Sequence, residues 1–98
     1  MVKWTAHARH QLQHIHEHIA QDSPLYAGRV CEELVRKTMR LDELPRKGRM
    51  VPELNVDAVR ELSLHSYRIL YEIKPDNVIE VLALIHKRRH VEPDDILK

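Results

Sequence analysis

The sequence is poor in cysteine and glycine and nearly neutral overall, and each shortage excludes a class of function. The single cysteine, Cys31, has no partner for an internal disulfide, which fits either a reducing cytoplasm or a chain indifferent to redox conditions. Gly28 and Gly48 stand alone, so the chain has no glycine-rich loop that would cradle a phosphate. A formal net charge of +1 excludes a global field for nucleic acid, so any anion site must be a local patch.

Long apolar runs are missing as well. No run approaches the roughly 18 residues of a membrane span, and the N-terminal segment has no apolar signal region, so we expect a cytoplasmic protein. The zinc-protease pattern His-Glu-x-x-His is absent, and nothing indicates a cofactor. The chain has 98 residues, of which 43% are hydrophobic and 32% are charged. This length and composition predict one globular domain over residues 1–98.

Capping residues and apolar periodicity predict a helix hairpin near the N-terminus. A short strand at Val2–Trp4 is followed by Thr5, a good N-cap, and by an amphipathic helix from residue 6 to about 21. A second amphipathic helix is predicted from Pro24 to about Leu44. The break between them is short, so the two helices should lie antiparallel.

Four further strands are predicted, in the order Met50–Leu54, Ala58–Leu64, Tyr67–Lys74 and Val78–His86. The last of these is apolar on both faces, which is typical of a central, covered strand. A charged tail over residues 91–98 has room for one helical turn. The expected fold class is α+β: an N-terminal strand and an antiparallel helix hairpin packed on a mainly antiparallel sheet of four or five strands.

Arginines and lysines on this sheet form the first candidate site. Arg68 sits in the middle of a strand, where it either pairs with Glu72 or Glu80 or forms the floor of an anion-binding groove. We predict that the residues that bind an anion or a target are Arg49, Arg60, Arg68, Lys87, Arg88 and Arg89. A separate basic tract over the end of the second helix and the following loop is either plain surface or an extension of a groove for an acidic partner.

Four histidines, His7, His10, His14 and His18, share one face of the first helix, away from its apolar stripe. Pairs spaced four residues apart can chelate zinc or nickel. No cysteine or carboxylate is placed to complete such a site. We therefore expect a solvated polar face and no metal site.

The order and spacing of several short motifs resemble the RelE/ParE family of bacterial toxins over nearly the whole chain. In chain order the motifs are Pro45 with Gly48-Arg49, Val51-Pro52-Glu53-Leu54, Val59-Arg60-Glu61-Leu62, Tyr67-Arg68-Ile69-Leu70-Tyr71 and Ile85-His86-Lys87-Arg88-Arg89. The resemblance implies a small cytoplasmic toxin of a type II toxin–antitoxin pair, acting in plasmid stabilisation and growth arrest. It also implies a partly disordered cognate antitoxin that wraps the surface of the toxin.

The family contains two mechanisms. The residues of these motifs resemble those of the ParE-like members, which implies inhibition of DNA gyrase without catalysis. The alternative is a RelE/YoeB-like, ribosome-dependent messenger RNA endoribonuclease, in which Glu53 is the base, Arg68 holds the phosphate and His86 is the acid. The lysines of the RelE nuclease are replaced here by Val59 and Glu61. A third interpretation is an inactive module that only binds antitoxin.

The strands also carry more apolar surface than a small helix hairpin is expected to cover. We therefore predict that an antitoxin segment with apolar anchors and acidic residues binds Leu54, Leu62, Leu64 and Leu70. A homodimer and a toxin–antitoxin heterotetramer are both compatible with the sequence.

Overall fold

The computed structural model describes residues 1–96 and is α+β, as the sequence predicts. Two helices, α1 (Ala6–Ala20) and α2 (Pro24–Thr38), follow the first strand, β1 (Val2–Trp4). The other strands are β2 (Arg49–Met50), β3 (Val59–Leu64), β4 (Tyr67–Lys74) and β5 (Val78–His86). Short 3₁₀ turns lie at Pro45–Lys47, Pro75–Asn77 and Pro93–Asp95. No helix within residues 1–96 is long and apolar enough to cross a membrane.

The strands form one mixed sheet in the order β1-β5-β4-β3-β2. β1 runs parallel to β5, while the pairs β5–β4, β4–β3 and β3–β2 are antiparallel. β5 therefore lies inside the sheet, which confirms the prediction from its apolar faces. The two edge strands are short, a common way of limiting unwanted pairing at a sheet edge.

Both helices begin where the sequence predicts, because both N-caps form. The Thr5 hydroxyl accepts a hydrogen bond from the backbone N–H of Ala8 at 3.0 Å, and the Ser23 hydroxyl accepts one from Tyr26 at 3.2 Å. Pro24 occupies the first turn of α2, where its missing N–H is not needed.

The predicted end of α2 at Leu44 is wrong. The helix ends at Thr38, and residues 39–44 form turns in which alternate N–H groups, those of Met39, Leu41 and Glu43, bond to the carbonyl three residues earlier. The Thr38 hydroxyl donates to the Val35 carbonyl at 2.8 Å, as polar side chains near helix ends often do. The turns bury Leu41 and leave Leu44 64% exposed, so the two leucines do not continue one helical stripe.

The predicted strand Met50–Leu54 is also largely wrong. Only Arg49 and Met50 pair with β3, and residues 52–54 form a turn. Proline at position 52 has no N–H to give to a sheet, and the N–H groups of Leu54 and Asn55 both bond to the Val51 carbonyl. Val51 itself is completely buried, so the turn is anchored to the core.

The sheet carries a hydrophobic core on each face. On one face the helix hairpin packs against Leu62, Ile69, Tyr71, Ile79, Val81 and Leu84. On the other face, the buried cluster consists of Val51, Val59, Leu70, Leu82, Ala83, Ile85 and Val91, with Leu54 and Ile96 packed against it. The second face is thus covered by two short irregular segments, residues 51–54 and 91–96, and not by a helix.

A buried tyrosine fixes the loop that leads from the helices into the sheet. The Tyr71 hydroxyl donates to the Pro45 carbonyl at 2.6 Å and accepts from the Gly48 N–H at 2.9 Å. A Cβ at Gly48 would lie 2.7 Å from that hydroxyl and would also meet the Glu61 carbonyl. Glycine is therefore required here for close approach, and the loop is held rigidly against β4.

Candidate functional site

Arg68 lies at the centre of a buried ion cluster on the sheet face opposite the helices. Its two terminal nitrogens donate to the two oxygens of Glu53 at 2.7 and 2.8 Å, and its Nε donates to Glu61 Oε1 at 2.6 Å. A further bond of 3.0 Å runs from Nη1 to the Arg89 carbonyl. The partners expected from the sequence, Glu72 and Glu80, are therefore incorrect; the carboxylates come from the 51–54 turn and from β3.

The cluster is closed in the sense that its positive and negative charges bind one another. Glu61 is also bound by Arg49, whose Nε lies 2.6 Å from Oε2, so two guanidinium groups face two carboxylates. The hydrogen bond from Arg68 holds the pKa of Glu53 far below its usual range, and the same contact raises the pKa of Arg68. Glu53 is consequently ionised and already bound, and the donors of Arg68 already have acceptors.

His86 lies on the other side of the sheet from this cluster. It is the cross-strand partner of Tyr67, with ring centroids 6.2 Å apart, while Arg68 is the partner of Ile85. Because successive side chains of a strand point to opposite faces, Arg68 and His86 face opposite sides. The structure thus brings Glu53 together with Arg68 but does not add His86 to them.

A small polar pocket of about 280 Å³ borders the ion cluster. Its lining residues are Arg49, Pro52, Glu53, Ser63, Arg68 and Lys87. Lys87 and Arg88 follow β5 directly and are exposed, and neither has an ion pair within residues 1–96. These two residues are the cations of the predicted patch whose charge is free to meet a ligand.

A protein-family model described as the ParE toxin of the type II toxin–antitoxin system parDE matches residues 2–91. The chain belongs to the ParE toxin family. Among solved structures, the chain resembles one described as a chromosomal ParDE toxin–antitoxin system from P. aeruginosa. That match has a TM-score of 0.71 at 24% identity and covers 87% of this chain and 92% of the other, which shows a shared fold. No curated protein matches the chain.

The other cations of the patch predicted for this ParE-family toxin are bound to neighbouring groups. Arg89 pairs with the buried Asp95, which ties the residues after β5 together. Arg60 lies on the helix side of the sheet, where it contacts Asp57 at 2.9 Å and the Gly48 carbonyl at 3.1 Å. The predicted cationic patch is therefore divided between both faces of the sheet, and most of its members hold loops in place.

The leucines predicted to bind antitoxin also divide into two groups. Leu70 is completely buried and Leu62 is 8% exposed, so both lie inside the two cores of the toxin. Leu54 and Leu64 are half-buried at the edges of those cores. Of the four, only Leu54 and Leu64 retain apolar surface that a partner can reach.

Sequence reasoning missed a larger groove next to Leu64. The groove has a volume of about 790 Å³ and lies between the second half of α2, the turns of residues 39–44 and the end of β3. Its apolar floor depends on the early end of α2, which exposes Leu44. The basic tract of residues 36–49 was the available signal, and part of that tract forms the rim of this groove.

The histidines of α1 lie at the surface. His7, His10, His14 and His18 are all exposed, and no group of three or more potential metal ligands occurs in the described part of the chain. The absence of a metal site is thus still a prediction, and it needs a binding measurement.

Proposed function

We propose that this ParE-family toxin arrests growth in the cytoplasm by binding and inhibiting DNA gyrase, and that its cognate antitoxin neutralises it. Membership of the family supports the toxin–antitoxin part. The closed Arg68 ion cluster supports inhibition by binding over catalysis, because RNA cleavage requires a phosphate clamp with free donors. A binding inhibitor needs no such clamp.

The target-binding surface that we propose is the exposed end of β5. Lys87 and Arg88 follow the end of β5 that pairs with β4, and the Lys87 N–H bonds to the Ser66 carbonyl at 2.8 Å, so the start of this segment is held against the β3–β4 turn. Unpaired cations on a rigid base favour an acidic surface on the partner and speed its association. Arg49, whose side chain is 70% exposed, borders the same pocket and adds to the positive charge.

One observation favours the alternative, a ribosome-dependent endoribonuclease: Glu53 and Arg68 do lie in direct contact. For that reaction Glu53 would have to leave Arg68 and accept the 2′-hydroxyl proton, while Arg68 turned its donors to the phosphate. An acid would also be needed on the same face, and His86 is on the other one. This mechanism therefore demands a rearrangement of the site.

The deciding experiment compares two purified activities of the same toxin preparation. Inhibition of DNA supercoiling by gyrase, without cleavage of messenger RNA on ribosomes, supports the proposal. Reversal of charge at Lys87 and Arg88 should weaken gyrase inhibition about tenfold or more, whereas the matched change Arg29→Glu on exposed α2 should leave it within about twofold. RNA cleavage without gyrase inhibition would refute the proposal. If the protein shows neither activity but still binds antitoxin, it is an inactive binding module, and the proposal is refuted as well.

A further inference from the structure

The outward side of α2 carries a stripe of residues that the core does not use. We call it the α2 stripe, and it consists of Gly28, Cys31, Glu32, Val35, Arg36 and Met39. Val35 and Met39 are 36% and 63% exposed, and together with Leu12 of α1 they line a shallow depression of about 370 Å³. Exposed apolar surface costs free energy in water, so a partner that covers this stripe gains stability from its burial.

Gly28 lies inside α2, and the fold of a single chain does not explain its presence. A glycine within a helix lowers helix stability relative to alanine or leucine. Within residues 1–96, a Cβ added to Gly28 would meet no atom within 4 Å outside its chain neighbours and the backbone of its own helix. The missing side chain therefore makes room on the outside of the molecule, where a partner could approach closely.

A charge pair crosses the α2 stripe. Glu32 and Arg36, both 68% exposed, form an ion pair at 2.7 Å. Within residues 1–96 this contact joins one oxygen of Glu32 to one nitrogen of Arg36, so the carboxylate keeps an acceptor and the guanidinium keeps donors for a partner. Because the two charges of the stripe are opposite, a strongly acidic or strongly basic partner gains nothing from them. A partner with the same two charges in reverse order fits best.

We propose that the α2 stripe binds a second copy of this chain, with the two α2 helices packed antiparallel about a two-fold axis. An antiparallel copy presents the reverse order of charges, so each Glu32 faces Arg36 of the other copy twice across the axis. The apolar side chains of Val35 and Met39 are covered in the same contact. The inference concerns self-association and depends neither on gyrase nor on the antitoxin.

The spacing along the helix is consistent with a single axis. Residues that face each other across a two-fold axis lie at equal distances from it, and the midpoint between Glu32 and Arg36 is at Leu34. At a rise of about 1.5 Å per residue, the midpoint between Gly28 and Met39 lies within about 1 Å of the same point. Met39 is the C-cap of α2 and keeps helical backbone angles. The axis that pairs the charges thus also places Met39 of one copy over Gly28 of the other.

Substitution of Gly28 separates this contact from the stability of the fold. Gly28→Leu should raise the melting temperature of the monomer, because leucine favours the helix and meets no obstacle within the described chain. The same side chain should collide with Met39 of the other copy and raise the dissociation constant of the dimer about tenfold or more. Gly28→Ala should stabilise the monomer as well but weaken the dimer less, because its side chain is shorter.

Sedimentation velocity over a series of toxin concentrations measures the dimer, and thermal unfolding is recorded where the toxin is monomeric. A single helix–helix contact is small, so we expect a dissociation constant in the micromolar range. Self-association that is unchanged in Gly28→Leu would overturn the proposal. An unaltered toxin that stays monomeric up to about 1 mM, beyond the range of weak specific contacts, would do the same.

A mixture of two charge variants tests the antiparallel register. Arg36→Glu leaves two negative charges on each stripe and Glu32→Arg leaves two positive ones, so each variant alone should dimerise about tenfold more weakly than the unaltered toxin. An equimolar mixture should form a heterodimer with an affinity within about threefold of the original, because every charge then faces its opposite. The ion pair within each chain is broken in both variants, so recovery on mixing reports the contact between copies.

Arg46→Glu and Asp57→Arg are the matched control for this mixture. They change the net charge by the same amounts at another exposed ion pair, which lies outside α2. Alone or mixed, they should dimerise like the unaltered toxin. Absence of recovery in the mixture of stripe variants, or an equal gain on mixing the controls, would overturn the proposal.

The same variants distinguish a second copy from other occupants of the stripe. If Gly28→Leu weakens binding of antitoxin or gyrase and leaves self-association unchanged, the stripe belongs to that partner and the proposal is overturned. The helices lie on the sheet face opposite the Arg68 cluster, so the dimer leaves the pocket beside Lys87 open in both copies. Failure of the unaltered toxin to inhibit gyrase would refute the proposed target and leave the sedimentation results valid.

Discussion

Glu53 and Arg68 form a two-pronged ion pair that joins an irregular turn to the centre of the sheet. Both oxygens of the carboxylate accept from Arg68, at 2.7 and 2.8 Å, and one of them also accepts from the Val91 N–H at 3.0 Å. Through this one carboxylate, the 51–54 turn, β4 and the segment after β5 are connected. The pair thus links the two segments that cover the second face of the sheet.

Loss of Arg68 should therefore destabilise the toxin strongly. Arg68→Met leaves the carboxylates of Glu53 and Glu61 buried without their shared cation, and breaking a buried pair in this way typically costs about 3–5 kcal/mol. Urea unfolding followed by circular dichroism measures the change. The exposed-pair control Arg36→Met, where both side chains are 68% exposed, should cost less than about 1 kcal/mol. A loss for Arg68→Met as small as that of the control would contradict this account of the cluster.

The same pair predicts a pH dependence of stability. Since the pKa of Glu53 is lowered in the folded state by Arg68, the unfolded chain binds the proton more readily. Its stabilising contribution is present above the ordinary glutamate pKa of about 4.3 and is lost as pH falls further. Glu53→Gln should flatten the decline in unfolding free energy below that pH. Parallel declines in both proteins would show that other carboxylates cause the acid instability.

Replacing His86 should leave the toxin active. The structure places this histidine against Tyr67, on the face opposite Arg68, so no proton transfer at the ion cluster depends on it. We expect His86→Gln to keep gyrase inhibition and toxicity within about threefold, whereas the loss of a general acid costs about a hundredfold or more. Ribosome-dependent RNA cleavage that disappears in His86→Gln would contradict the proposed mechanism.

The histidine face of α1 should be dispensable. His10 and His14 are exposed and make no hydrogen bond or ion pair within residues 1–96, so replacing both by glutamine should change the unfolding free energy by less than about 0.5 kcal/mol. Activity should also be unchanged. Stoichiometric zinc that survives dialysis against a chelator, and is lost in the double variant, would show that this face binds metal.

Local patterns predicted most of the elements of this fold. Thr5 and Pro24 mark the helix starts because capping depends on a few neighbouring residues, and β5 was identified by apolar residues on both of its faces. The end of α2 was missed because its apolar stripe continues to Leu41 in the sequence and the first residue that must stop a helix is Pro45. The choice between helix and turn there depends on where the chain must meet β2, which is a tertiary constraint.

The candidate site was harder to predict than the fold. That Arg68 faces away from the tyrosines follows from strand alternation, but its partner Glu53 lies 15 residues away on a segment expected to be a strand. Whether His86 joins it depends on the register between β4 and β5, which no single-strand pattern contains. The groove at Leu44 could not be predicted from local sequence patterns either, because it forms only if α2 ends early.

The parallel pairing of β1 with β5 has a consequence for the order of folding. Val2 pairs with Ile79, so this contact closes a loop that contains most of the chain, whereas β4 and β5 are joined by a three-residue turn. Closing long loops costs more chain entropy and slows folding. We expect the β3–β4–β5 meander to form first and the N-terminal strand to dock late. In a kinetic experiment, changes at Val2 should then alter the unfolding rate far more than the folding rate.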